Sequence, residues 1–486
     1  MERGRNMAVL EATEPKEVFR FFEELSQIPR GTYHTKEVSD YCVKFAQERN
    51  LEVIQDTWNN VIIKKPGSKG YEESEPVIIQ GHLDMVCEKT PDSSHDFLTD
   101  PLELMIEDGF VTAKDTTLGA DDGIAVAFAM AVLDSEVLEH PPIEAVFTVD
   151  EEVGMDGAAN IDLSVLKGSM LLNLDSEDDD TLIAGCAGGF RFSCEIPVEK
   201  KTAQGMGLLV EICGLKGGHS GVEIDRQRGN ANKLAGRLIN HLGREQSLYL
   251  ADLNGGARDN VIPSVSKMTV VVEDGEKAIQ TVESMKGVWQ QEFGTDEPDL
   301  DIRITELGEK EYTVFKEESQ KKVIGFLVNC PNGVDEYSRS LKGLVETSDN
   351  LGVVETKEKS VRFMVLIRSG VSSKIEELKE RLICLADMMG GRWNVDNGYP
   401  AWMYKEHSRI RPIAAEAFEE VFGIRPKVTT IHAGLECGLL SGKKPELDCV
   451  SFGPHMEDIH SFHERLEIAS TQKIWDVLKI ILKRCK

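Results

Sequence analysis

Short apolar runs of strand type alternate with helix-periodic segments through residues 1–187, stop, and resume after Asn394. Strand-like runs fall at 51–54, 61–64, 77–84, 143–149 and 170–174, and helical segments at 15–28, 36–49 and 121–133. In the first helix Val18, Phe21, Phe22, Leu25 and Ile28 recur at helical spacing, with Pro15 suited to the first turn. Such alternation predicts an α/β fold with a mainly parallel sheet. From about Gly188 the strands lengthen and alternate in polarity, at 190–196, 207–212 and 266–272, with a helix near 226–241. A similar order follows, with a helix at 316–328, a strand at 361–367 and a helix at 373–389, which suggests two α+β units in succession. The α/β character returns with a helix at 410–422, strands at 427–431 and 449–452, and a helix at 470–482. The expectation is therefore one α/β domain built from 1–187 and 395–486, interrupted by an α+β insertion at 188–394.

Composition narrows the function classes. The chain has 486 residues, 41% hydrophobic and 29% charged, a globular balance that needs more than one core. A net charge of −29, with no long basic run, argues against nucleic acid as a partner. The longest apolar stretch, 124–133, is far short of the roughly 20 residues that cross a bilayer. Residues 1–17 carry no apolar core ahead of a small-residue cleavage site, so no secretory signal is expected, and Met7 is a second candidate initiator. Ten cysteines are scattered without a C-x-x-C pair, several within apolar runs, which points to reduced thiols and the cytoplasm.

The chemistry-bearing residues sit where strands end. His82 and Asp84 close the run at 77–84, the sheet edge where open α/β folds place their sites. Neutral imidazole ligates zinc, and a nearby carboxylate can orient the ring, although a structural hydrogen bond would use the same pair. Asp121 and Asp122 lie in a Gly-rich turn before an apolar helix, where an aspartate serves equally as an N-cap. Glu151 and Glu152 follow a strand, and in extended chain adjacent side chains diverge, so one can ligate while the other faces the reacting water. Asp175 ends another strand, and His460 lies near the end of the chain. Four successive strand ends or strand-to-helix turns thus offer His, Asp, Glu and Asp. Oxygen and nitrogen donors without thiolate suit a catalytic Zn²⁺ pair, with Mn²⁺ or Co²⁺ as substitutes.

The motifs GHLDMV, TTLGADDG, DEEVGMDGA, LNLDSE, GCAGG, LKGGHSG, GNANKL, PNGV, HAGLECGL and SFGP, in this order, resemble the aminoacyl-histidine dipeptidase branch of the M20 metallopeptidases over nearly the full chain. The resemblance implies a cytosolic dipeptidase acting on small unblocked dipeptides. It makes His82 and Asp175 ligands of one metal, Glu152 and His460 ligands of the other, and Asp121 the bridge, joined to Asp122 by a cis peptide. Asp84 would orient His82, and Glu151 would be the general base. The insertion becomes a lid domain in which His219 meets the tetrahedral intermediate and Asn260 and Arg368 hold substrate. Association of two chains through that domain is left open. Two departures stand out: Arg258-Asp259-Asn260, where relatives have Arg-Asn, and His460-Ser-Phe-His463-Glu464, where His463 competes with His460 as a ligand. His432 and Glu436 acquire no role.

Other readings use the same residues. N-deacylation of an amino acid would need the same metals but not a free substrate amine. A metal-binding protein without catalysis would have no use for Glu151 and His219. A thiol hydrolase would pair Cys437 with His432.

Overall fold

The computed structural model describes residues 9–396 and 398–486; Met7 lies outside them. The chain forms two compact units, one from 1–185, 404–430 and 435–486, the other from 186–403 and 431–434.

In the first unit an eight-stranded sheet runs in the order Glu52–Gln55, Val61–Lys65, Ile143–Thr148, Val77–His82, Met170–Asn173, Asp448–Ser451, Thr181–Cys186, Lys427–Ile431. It is parallel from Ile143–Thr148 to Asp448–Ser451. Thr181–Cys186 and Lys427–Ile431 also run parallel, since the Lys427 amide donates to Asp180 O and the Ala187 amide to Ile431 O. The antiparallel pairs are those of Val61–Lys65 with its two neighbours and of Asp448–Ser451 with Thr181–Cys186. The first two strands are joined by a short connection and so can only pair antiparallel. Every residue of Val77–His82 and of Ile143–Thr148 is buried, as expected of strands covered on both faces. The helix Ala120–Asp134 is apolar around its circumference and buried from Gly123 to Leu133. Its core also takes in Phe22 and Leu25 of Lys16–Ser26 and Trp475 and Leu478 of Ile468–Arg484. A small sheet of Met456–Glu457, Arg465–Glu467, Phe110–Ala113 and Leu104–Glu107, absent from the sequence reading, ties residues near 110 to residues near 460.

The second unit is one nine-stranded sheet with a single main core that includes Trp289, Phe326 and Phe363. Its strands fall into two antiparallel groups. They join edge to edge through only Asn254 opposite Glu355 and Gly255 opposite Val354. What the sequence suggested as two α+β units in succession is thus a continuous sheet. The unit also extends past the boundary expected at 394, because Tyr399 and Trp402 bridge back to Gly189 and Cys186. Residues 431–434 join it as well, since Ala187 N–H donates to Ile431 O and His432 Nε2 bonds Ser348 Oγ.

Within this second core Asp349 is buried and neither carboxylate oxygen has a hydrogen-bond partner among the described residues. Burial, reinforced by the Asp335 carboxylate, pushes its pKa up to about 7. Because the folded value lies above the unfolded one, the protonated form stabilises the fold at low pH. That contribution is lost as pH rises from the unfolded value near 3.8 through about 7. Asp349→Asn should therefore stabilise the protein more at pH 8 than at pH 5, by a margin of more than about 1 kcal/mol, read from urea midpoints at the two pH values.

Candidate di-metal centre

Three neighbouring parallel strands end on the same side, and the residues just beyond them form the site. Val77–His82 delivers His82, the chain after Ile143–Thr148 delivers Glu151 and Glu152, and the chain after Met170–Asn173 delivers Asp175. Asp121 and His460 complete the group. His82 Nε2 is 3.1 Å from Asp121 Oδ1 and 3.9 Å from Asp175 Oδ1. His460 Nε2 is 3.0 Å from Asp121 Oδ2 and 3.0 Å from Glu152 Oε2. Donor atoms of His82, Asp121 and Asp175 lie within 4.8 Å of one another, as do those of Asp121, Glu152 and His460 and those of His82, Glu151 and Glu152. Asp121 therefore belongs to two triads and presents a different oxygen to each.

The strand stops at His82, and Asp84 lies in the turn beyond it rather than on the strand, yet its Oδ1 still stands 3.4 Å from His82 Nδ1. Asp84 also accepts from Thr32 Oγ1 at 2.9 Å and from the amides of Glu151 at 3.1 Å and Glu152 at 3.4 Å. It thereby fixes both the imidazole and the start of the Glu151–Gly154 segment. That segment corrects the sequence expectation: Glu151 and Glu152 begin a short helix after a left-handed Asp150, not an extended chain. Neither aspartate of the Asp121-Asp122 pair caps the following helix. Both have non-helical backbone angles, their peptide bond is cis as the resemblance implies, and Asp122 accepts the His82 amide at 3.1 Å.

Burial would raise the Asp121 carboxyl, but hydrogen bonds from His460 and His82 hold it well below the usual carboxylate range. The Asp175 carboxyl is raised well above it by burial and by Asp122 and Asp121, and Glu151 is pushed up to about 8 by burial, with Glu436 and Glu152 adding to the effect. Five carboxylates thus converge on two histidines. Glu152 Oε1 is buried without a hydrogen-bond partner among the described residues. Divalent cations would supply the missing positive charge, and an oxygen and nitrogen donor set free of thiolate fits zinc, manganese or cobalt.

The structure separates the competing histidines. His463 is exposed, with its ring against Phe462, whereas His460 reaches both carboxylates. Glu436 is buried in the same unit and accepts from Gln80 Nε2 at 2.5 Å and Thr148 Oγ1 at 2.6 Å, a support under the strand ends. Cys437 is fully buried and His432 Nε2 is engaged by Ser348 Oγ at 2.7 Å, an arrangement unsuited to a thiol nucleophile and its base.

The second unit gathers its own polar residues. His219 pairs opposite Val261, next to Asn260, whose carbonyl accepts the Ser220 amide at 3.0 Å. The amides of Gly221 and Val222 both donate to His219 Nδ1 at 3.2 Å, which leaves the ring proton on Nε2. Burial and Arg368 lower the pKa of His219, and the same two causes, with His219 itself, push His432 down to about 3. Arg368 is buried and donates to Tyr399 Oη at 2.8 Å, while its Nε has no hydrogen-bond partner among the described residues. The extra residue of the Arg258-Asp259-Asn260 departure is structural: Asp259 is buried and accepts from Arg191 Nε at 2.5 Å.

The signature of peptidase family M20/M25/M40 matches residues 78–484. The chain belongs to that family. Among M20 relatives it is 35% identical over 483 residues to the cytosol non-specific dipeptidase of Escherichia coli, covering 98% of this chain and 99% of the relative. It superposes on the aminoacylhistidine dipeptidase of Vibrio alginolyticus with a TM-score of 0.92 at 36% identity, over 98% of this chain and 97% of that one. The aminopeptidase PepT of Bacillus cereus shares the M20 fold at a TM-score of 0.57 and 18% identity, over 97% and 99% of the two chains. Among the described residues no helix is long and apolar enough to cross a membrane.

His460→Ala is expected to retain less zinc than the parent protein after dialysis, and His463→Ala as much, by elemental analysis. Equal losses in the two variants would contradict the assignment of His460.

Proposed function

We propose that this M20 peptidase is a dipeptidase that hydrolyses unblocked dipeptides, the aminoacyl-histidine type among them, with two divalent cations, zinc foremost. The observation that carries the reading is the division of Asp121: one oxygen faces His82 and the other His460, as a carboxylate shared between two ions requires. On this reading His82 and Asp175 hold one ion, Glu152 and His460 the other, and Asp121 both. The names of the Escherichia coli and Vibrio alginolyticus relatives support dipeptides as the substrate class. The word cytosol in the first of those names supports a cytoplasmic location, as does the burial of every cysteine except Cys87 and Cys384.

When bound, the cations supply Lewis-acid polarisation of the scissile carbonyl and lower the pKa of the attacking water. Glu151 takes the proton of that water and returns it to the leaving amine. Asp84 keeps the His82 ring in place through Nδ1. In the inserted unit, the neutral His219 with its proton on Nε2 is suited to donate to the oxygen that becomes negative in the transition state. Arg368, buried and without an acidic partner among the described ion pairs, offers a planar fork for the terminal carboxylate of a substrate, and Asn260 a second polar contact.

Chelation should abolish hydrolysis of an aminoacyl-histidine dipeptide and added zinc restore it; full activity in protein free of stoichiometric metal would refute the proposal. Glu151→Gln should lower kcat by at least about 10²-fold with metal content unchanged. Loss of metal in that variant would mean that the two glutamates are interchanged. His219→Ala should keep its metals and lose about 10²-fold to 10³-fold in kcat with little change in KM, whereas near-normal turnover would remove His219 from the reaction.

A further inference from the structure

Two buried residues outside the ligand set grip the turns that carry it. Glu464 is buried, and its carboxylate accepts four consecutive backbone amides: Leu118 at 2.7 Å and Gly119 at 2.9 Å on Oε2, Ala120 at 2.8 Å and Asp121 at 3.3 Å on Oε1. Arg30 is buried as well. Its Nη1 donates to the carbonyls of Leu83 at 3.0 Å and Asp84 at 3.1 Å, and its Nη2 to the carbonyl of Gly119. Gly119 is therefore held from both sides, its amide by the carboxylate and its carbonyl by the guanidinium.

We infer that Arg30 and Glu464 are positioning residues that lace the 82–84 and 118–121 segments together and so set how tightly His82 and Asp121 hold their cations. Neither side chain reaches a proposed ligand atom; both act through the backbone on which the ligands are mounted. The packing around Arg30 has a sequence counterpart. A Cβ on Gly119 would lie 2.6 Å from Arg30 Nη2, and one on Gly123 would lie 2.5 Å from the same atom. Two glycines of the TTLGADDG motif thus make room for a guanidinium contributed from 89 residues earlier in the chain. Arg30 is itself anchored, since its carbonyl accepts the Met85 amide at 3.1 Å. The polarities are complementary too: the guanidinium faces three carbonyl dipoles and the carboxylate four amide dipoles. This device spares the site the ordering of its bridging ligand on metal binding, which a free turn would have to supply.

The inference rests on the di-metal reading above, and the experiment keeps the two apart. Full-length protein stripped by chelation is titrated with zinc by calorimetry, and the melting temperature of the metal-free form is recorded, for the parent and for Arg30→Lys, Glu464→Gln and Gly123→Ala. The expected result is a loss of zinc affinity of about 10-fold to 100-fold in each variant, the range found when residues supporting metal ligands are removed, with the circular dichroism of the parent. A lower melting temperature with parental zinc affinity in the variants would assign the pair to fold stability alone and overturn the inference. Should Glu464→Gln fail to fold, Arg30→Lys and Gly123→Ala decide the matter. A parent protein that binds fewer than two cations would instead overturn the di-metal reading, and this inference with it.

Discussion

Gathering Asp84, Asp121, Glu151, Glu152 and Asp175 around His82 and His460 concentrates like charge, and the first unit is organised around making that tolerable. Each carboxylate would relax outward if its backbone were free, because repulsion between unit charges a few ångströms apart in a partly buried cleft amounts to several kcal/mol. The parallel centre of the sheet prevents it. Strands buried on both faces cannot shift register without exposing apolar side chains, so the chain beyond them is delivered to fixed points. Counter-charge then comes from backbone dipoles, as at Asp84 and Glu464, from the two imidazoles, and in function from cations.

The inserted unit handles polarity differently. Its key histidine is kept neutral rather than charged: two amides occupy Nδ1, and a buried arginine nearby discourages protonation. The result is a donor whose direction is fixed by its own loop. His432, engaged by Ser348 and driven to about 3, extends the same strategy, so that Arg368 remains the dominant positive charge among these three residues.

Much of this was legible in the sequence wherever function and local structure coincide. The strand ends carrying His82, Glu151, Glu152 and Asp175 were visible because a buried parallel strand reads as an apolar run, and a carboxylate at its end stands out. The sequence could not show that Glu151 and Glu152 begin a helical turn, because one left-handed residue, Asp150, sets that geometry and leaves no periodic trace. Arg30 was invisible for a different reason. It lies between two unremarkable helices, and its partners are backbone carbonyls, which carry no residue code. Glu464 ends the segment His460-Ser-Phe-His463-Glu464, where nothing local tells a buried acceptor from a surface acid. The edge strand Asp301–Phe315 leaves little trace in the sequence because most of its residues are polar and partly exposed, without the apolar signal of the central strands.

The division of the first unit into segments far apart in the chain also bears on the order of synthesis. Asp121 and His460 are separated by 339 residues, and the turn holding Asp121 is completed only by Glu464. During translation the nascent chain therefore carries an unfinished centre while the whole inserted unit is made. On the proposed reading, a hydrolase for peptide bonds gains two residues of its site, His460 and Glu464, only after the inserted unit has been made.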